Sequence, residues 1–170
     1  MEETPKSSSL RSGYLKQSVI QDQIRRLESA VDEAQEIIDY ETAHNPEILY
    51  ALDIVEDFIR SKKRVCYGGT AINAILPSAL QFYDTEKDLP DYDFFTPDPE
   101  NDLKELVKRL QEAGFREINQ RFGVHEGTFK ILVNFIPIAD CTHLHKELYR
   151  ILAKRAIRKD GLYYLSLIHI

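Results

Sequence analysis

Cysteine is scarce in this chain of 170 residues: only Cys66 and Cys141 occur, and no CxxC pairs them. That excludes a disulfide framework or a zinc knuckle as the organising device. Long apolar runs are missing too, and nothing approaches the roughly 20 residues that span a bilayer. There is no cationic excess. Lys and Arg number 22 against 28 Asp and Glu, a net charge of −6, which is unlike a protein that coats nucleic acid along its length. A single local patch could still touch it. No internal repeat is visible. At 43% hydrophobic and 29% charged, the composition is that of a soluble globular domain and not of a disordered or collagen-like chain. The opening residues Met1, Glu2 and Glu3 are polar and acidic, the opposite of a secretion signal, so a reducing, intracellular setting is expected.

Residues 1–13 read as a flexible tail. From Leu15 to about Tyr40, Val19, Ile20, Ile24, Leu27, Val31, Ala34, Ile37 and Ile38 recur at spacings of three and four, an amphipathic helix or two in line. Asn45 is a good N-cap and Pro46 suits a first helical position. The helix they open should bury Ile48, Leu49, Leu52, Val55, Phe58 and Ile59 and end at Lys62, Lys63 and Arg64. Together residues 14–61 form an N-terminal helical extension. A short strand, Arg64–Tyr67, then runs into Gly68, Gly69 and Thr70, followed by a short helix stopped by Pro77 and a loop over 77–90. Asp91–Phe95 reads as a strand, Asn101–Ala113 as a helix capped by Gly114, 115–119 and 128–138 as strands, and 144–158 as a last helix. In that helix Leu148, Ile151, Leu152 and Ile157 should face inward. The expected fold class is α+β, a small mixed sheet with flanking helices.

Three features carry chemistry. Paired glycines Gly68 and Gly69 at a strand-to-helix junction let backbone N–H groups approach a phosphate, and the Thr70 hydroxyl adds a donor. Taken alone, this is also what a plain tight turn looks like. Asp91 and Asp93 alternate on a strand, so their carboxylates share a face, while Tyr92 and Phe94 take the other. Two like charges so placed call for a cation, and magnesium suits hard oxygen ligands. Asp140 is the sole acid between Gly127 and Lys146 and could cap a helix or supply a third carboxylate. Lys146, Arg150, Lys154, Arg155, Arg158 and Lys159 form one basic cluster, and residues 62–64 another; either a solvated face or an RNA contact would account for them. His143 and His145 beside Cys141 lack the further ligands of a zinc site.

This constellation resembles the nucleotidyltransferase superfamily that includes DNA polymerase beta and the poly(A) polymerases, although the spacer from Gly69 to Asp91 is longer than usual there. The strings Tyr67–Pro77, Pro90–Phe95 and Val133–Asp140 are similar to poly(A) polymerase catalytic subunits of large DNA viruses, of giant-virus and poxvirus type, over about residues 45–164. The resemblance implies a DNA polymerase beta-like palm at residues 62–164, and template-independent addition of AMP from ATP to RNA 3′ ends in mRNA polyadenylation. It implies two Mg2+ or Mn2+ ions held by Asp91, Asp93 and Asp140, with Gly68, Gly69 and Thr70 on the triphosphate and Asn73 as a further nucleotide-binding candidate. ATP, an RNA 3′ end and a processivity subunit are the implied partners, no membrane is involved, and the host cytoplasm (a viral factory) or the virion is the implied location. Another nucleotidyltransferase, acting on tRNA termini or small molecules, and a non-catalytic RNA-binding or scaffold subunit are the alternatives.

Residues 165–170 are what a transposase sequencing adapter encodes in frame. They are expected to be adapter read-through on a catalytic core that lacks the C-terminal domain of the enzymes it resembles.

Overall fold

Asn45 and Asp98, each followed by a proline, start two of the helices that cover the sheet. The structure, a computed structural model, describes residues 8–83 and 88–166. Asn45 Oδ1 accepts from the N–H of Glu47 at 2.9 Å and of Ile48 at 3.4 Å, opening α2, Pro46–Lys62. Asp98 caps α4, Pro99–Glu112, in the same manner, so this helix begins before the expected Asn101. α2 stops where Lys63 turns left-handed at φ 52°, and its N–H returns to Arg60 O. Ile48, Leu52, Val55, Phe58 and Ile59 are buried as expected, whereas Leu49 is exposed.

The chain divides into two compact units at Glu41 and Thr42. In the first, α1 is one continuous helix, Ser8–Ala43, and so starts inside the stretch expected to be a tail. Taken by itself it presents Val19, Ile20, Ile24, Leu27, Val31, Ile37 and Ile38 as an exposed apolar stripe. The rest of the tail, residues 1–7, part of the 77–90 loop (84–87) and residues 167–170 of the expected adapter segment lie outside the described residues.

The second unit holds a seven-stranded mixed sheet in the order β3-β4-β5-β2-β1-β7-β6. Its strands are β1 Val65–Tyr67, β2 Tyr92–Thr96, β3 Ile118–Phe122, β4 Thr128–Val133, β5 Ile136–His143, β6 Ile157–Lys159 and β7 Leu162–Tyr164. α3, Gly68–Ile75, follows β1 without a break. One face of the sheet is the core. Cys66, Phe94 and Cys141 are paired in register across β1, β2 and β5 and are buried among α2 and α4 side chains such as Phe58, Leu106 and Leu110. Both cysteines are free, and burial pushes each thiol up to about 12. They are packing residues.

Two expected elements divide. The strand expected over 128–138 is a hairpin, β4 and β5, joined at Asn134 and Phe135 with φ of 50° and 66°. Positive φ at both central residues is the two-residue turn whose twist suits a hairpin. The helix expected over 144–158 is α5, Lys146–Arg155, followed by a second hairpin, β6 and β7, turning at Asp160 and Gly161 with φ of 50° and 81°. The inward face assigned to that helix does not form: Leu148, Ile151 and Ile157 are exposed, and Tyr149 is the buried residue of α5. Tyr149 donates to Lys63 O at 3.1 Å.

An ion cluster locks the core side of the sheet. Arg64 meets Asp102 with both arms, at 2.6 and 2.9 Å, and the Thr96 hydroxyl donates to the same carboxylate at 2.5 Å. Lys62 pairs with Glu105 at 2.6 Å. The basic cluster at 62–64 is therefore largely engaged in ties to α4, with Lys63 exposed.

Candidate active site

A row of four polar side chains crosses the face of the sheet opposite the core. The registers pair Lys130 on β4 with Asp140 on β5, Asp140 with Asp93 on β2, and Asp93 with Tyr67 on β1. Register partners project to one side, so these groups stand side by side. Asp140 is thus inside a strand with three residues of β5 still to come, past residue 138 where the expected strand stops. The parallel pairing of β2 and β5 is what brings the two carboxylates together.

Lys130 was not foreseen, and a bulge explains why. Val133 opposes Ile136 and Leu132 opposes Pro137, but beyond the irregularity at Ile131/Leu132 the partners shift by one, so that Lys130 faces Asp140. Without the shift Lys130 would face Ala139. Ile138 and Ala139, consecutive yet both fully buried, record the break in alternation. Lys130 Nζ lies 2.7 Å from Asp140 Oδ1. That oxygen is buried, and the Lys130 ammonium is its partner among the described residues.

The acids here are electrostatically uncomfortable. Burial, then the charges of Asp91 and Asp140, push Asp93 up to about 7, with Lys130 working the other way. Asp91 stands just before β2 and is also raised, first by desolvation and then by Asp140, again opposed by Lys130. Burial works to lower Lys130, but its bond to Asp140 and the charges of Asp140, Asp91 and Asp93 raise it instead. Tyr67, raised mainly by burial, stacks on Phe95 with centroids 4.1 Å apart and shares a 2.7 Å hydrogen bond with the Thr142 hydroxyl. On the opposite side of β2, Tyr92 donates to Glu56 at 2.5 Å, so the expected division of faces holds.

The glycine turn lies against this row. Gly68 has φ 77°, and a Cβ there would come within 2.1 Å of Asp93 Oδ2. Backbone and carboxylate touch only because the side chain is absent. A Cβ on Gly69 would meet the Tyr83 hydroxyl at 2.3 Å. Thr70 Oγ1 accepts from the Asp91 N–H at 3.1 Å, tying the α3 N-terminus to the start of β2. Asn73 Oδ1 accepts from the N–H groups of Phe82 and Tyr83 at 2.7 and 3.2 Å, so that end of its side chain holds a loop. Thr70, Asn73, Tyr83, Leu89 and Pro90 line a cleft of about 160 Å³ beside Asp91.

Asp91, Asp93, Asp140, Gly68, Gly69 and Thr70 therefore gather at one place, with Asn73 one helical turn farther along. Among the described residues no three of His, Cys, Asp and Glu close into a ready metal-holding group as they stand. The basic residues of the closing segment are distributed over α5 and β6; all six are exposed, and Lys159 donates to Ala74 O at 2.5 Å.

A family model described as the poly(A) polymerase catalytic subunit matches residues 53–169. A poly(A) polymerase catalytic subunit of African swine fever virus is 32% identical over 107 residues, covering 63% of this chain and 22% of that one. One from Acanthamoeba polyphaga mimivirus is 31% identical over 116 residues, covering 66% and 19%. Among solved structures, the Megavirus polyadenylate synthase superposes with a TM-score of 0.69 at 26% identity, over 97% of this chain and 31% of that one. The chain spans about a fifth of the length of these curated relatives.

Proposed function

We propose, for a chain that belongs to the poly(A) polymerase catalytic subunit family, that residues 62–164 are the catalytic core of a template-independent polynucleotide adenylyltransferase. ATP is the donor and an RNA 3′ end the acceptor. The observation that carries this reading is the register placing Asp93 beside Asp140, with the Gly68 backbone against Asp93.

The donor set fits a hard divalent cation. It offers carboxylate oxygens only, one of them buried with the Lys130 ammonium as its partner, and its crowded charges already raise Asp93. Asp91, Asp93 and Asp140 would hold Mg2+ or Mn2+, which when bound supplies charge neutralisation at the transferred phosphoryl group and at the attacking oxygen.

The chain's own residues do the rest. The free N–H groups at the start of α3 take phosphate oxygens, where the helix dipole favours negative charge. Thr70 accepts from Asp91 through its oxygen, leaving its hydroxyl proton to donate to the triphosphate. The carboxylate row draws the proton from the RNA 3′-hydroxyl. The O3′–Pα bond forms, the bond from Pα to the bridging oxygen breaks, and pyrophosphate leaves. Catalysis is mainly positioning and electrostatics.

No helix among the described residues is long and apolar enough to cross a membrane. A processivity subunit, and a location in the viral factory or virion, extend the same reading. Extension of a 5′-labelled RNA primer with each nucleoside triphosphate in turn, with Mg2+ or Mn2+, tests it. ATP should be preferred and Asp93→Asn should lower extension by roughly two to three orders of magnitude. Equal use of all four nucleotides, or extension indifferent to Asp93→Asn, overturns it.

A further inference from the structure

Lys130 has no part in the assignment above, yet it is the cation that pairs with one of the carboxylates. It reaches Asp140 Oδ1 at 2.7 Å from a neighbouring strand, and it acts electrostatically on Asp91 and Asp93 as well. Its placement depends on the bulge in the β4–β5 pairing, a feature that re-aims one side chain at the cost of a regular ladder. Its own side chain is about a third exposed, against 16% for Asp140, so the lysine is the more solvent-accessible partner of the pair.

We propose that Lys130 is a tethered placeholder cation: it pairs with Asp140 while no divalent ion is bound and withdraws toward solvent when one enters. This rests on the carboxylate site proposed above. The physical case is charge balance. Three acids gathered at one place repel each other, and Lys130 is the one base that the structure sets in their register. An ammonium on a flexible stem is suited to the task, since it can let go without moving the strand that carries it. The pairing also accounts for the open arrangement of the acids. Asp140 leans on β4 through Oδ1, and the three carboxylates do not close on one point. Metal entry then exchanges one ion pair for another, which lowers affinity for the ion alone and leaves room for a ligand that brings its own charge to draw the ion in. Lys130 is a positioning residue in this account.

The test is Mn2+ binding, read by electron paramagnetic resonance of the free ion, on the chain as it stands and on Lys130→Gln and Lys130→Arg. Lys130→Gln should bind Mn2+ about tenfold more tightly, because a competing unit charge at contact distance is gone. Lys130→Arg, which keeps the charge, should stay within about twofold of the parent. In an Asp140→Asn background the gain from Lys130→Gln should shrink to less than about twofold, since the placeholder has lost its seat. In the absence of metal Lys130→Gln should melt several degrees lower, and saturating Mn2+ should restore it. Equal affinity in the parent and Lys130→Gln overturns the proposal while leaving the carboxylate site in place. A gain undiminished by Asp140→Asn overturns it as well, because the lysine then acts only through the general field. If the parent and both variants bind no Mn2+, the carboxylate reading falls and this one with it.

Discussion

Two acid–base clusters sit on opposite sides of one sheet, and they have opposite characters. At the Arg64 cluster, Asp102 is 1% exposed and fully engaged: the guanidinium takes both oxygens, the Thr96 hydroxyl adds a third bond and Lys62 stands 3.6 Å away. At the Lys130 cluster three carboxylates share one ammonium, which pairs with Asp140 alone, and Asp93 is pushed up to about 7. Similar chemical groups form a closed clamp in one place and a crowded, partly compensated cluster in the other. What separates them is satisfaction. A closed cluster has nothing left to bind, whereas an under-compensated one keeps its affinity for a ligand at some cost in stability.

Breaking the clamp should have the largest effect. Asp102→Ala leaves Arg64, its side chain 15% exposed, without its carboxylate and should destabilise the chain by about 3–5 kcal/mol in urea titration, with no change in the register of β2 and β5. Asp93→Asn should do the reverse. It should raise the melting temperature in the absence of metal by relieving repulsion, while lowering nucleotidyl transfer by roughly two to three orders of magnitude. A lower melting temperature in that variant would show the site to be as satisfied as the clamp. Gly68→Ala should cost about 1–2 kcal/mol for the positive φ alone. It should also displace the Asp93 carboxylate, weakening Mn2+ binding in a titration. The smallest effect is pH. Asp93 binds its proton more tightly folded than unfolded, where its ordinary value is 3.8. Stability should therefore be highest below about pH 4 as far as this group is concerned, and should drain as pH rises through about 7. The loss is on the order of 1 kcal/mol once solvent screening is allowed for. Denaturant midpoints measured at pH 5 and pH 8 should show it, and Asp93→Asn should flatten the profile.

Local signals were the readable ones. Asn45 before Pro46, the alternation of Asp91 and Asp93, and the glycine pair after a short strand each depend on a few adjacent residues; the cap and the glycine turn form as read, while β2 starts at Tyr92 and leaves Asp91 just outside it. The turn at Asn134 and Phe135 was hidden because a phenylalanine at φ 66° inside an apolar run looks like a continuing strand. The turn at Asp160 and Gly161 had a readable signal, Asp followed by Gly, but it lay at the end of a helical period that ran on too far. Leu148 and Ile151 follow helical spacing yet remain exposed, since periodicity marks an apolar face and not what covers it.

The sequence by itself put forward the candidates for chemistry: three acids, a glycine pair and a threonine, each recognisable from its neighbours and by resemblance to a family. Only the tertiary structure decided their company. The parallel pairing of β2 with β5 joins residues 47 positions apart in the chain, Asp93 and Asp140. A shift of one residue between β4 and β5 gives Asp140 a lysine in place of an alanine neighbour. Registers between strands are set by packing across the whole sheet, and no short stretch of sequence carries that information.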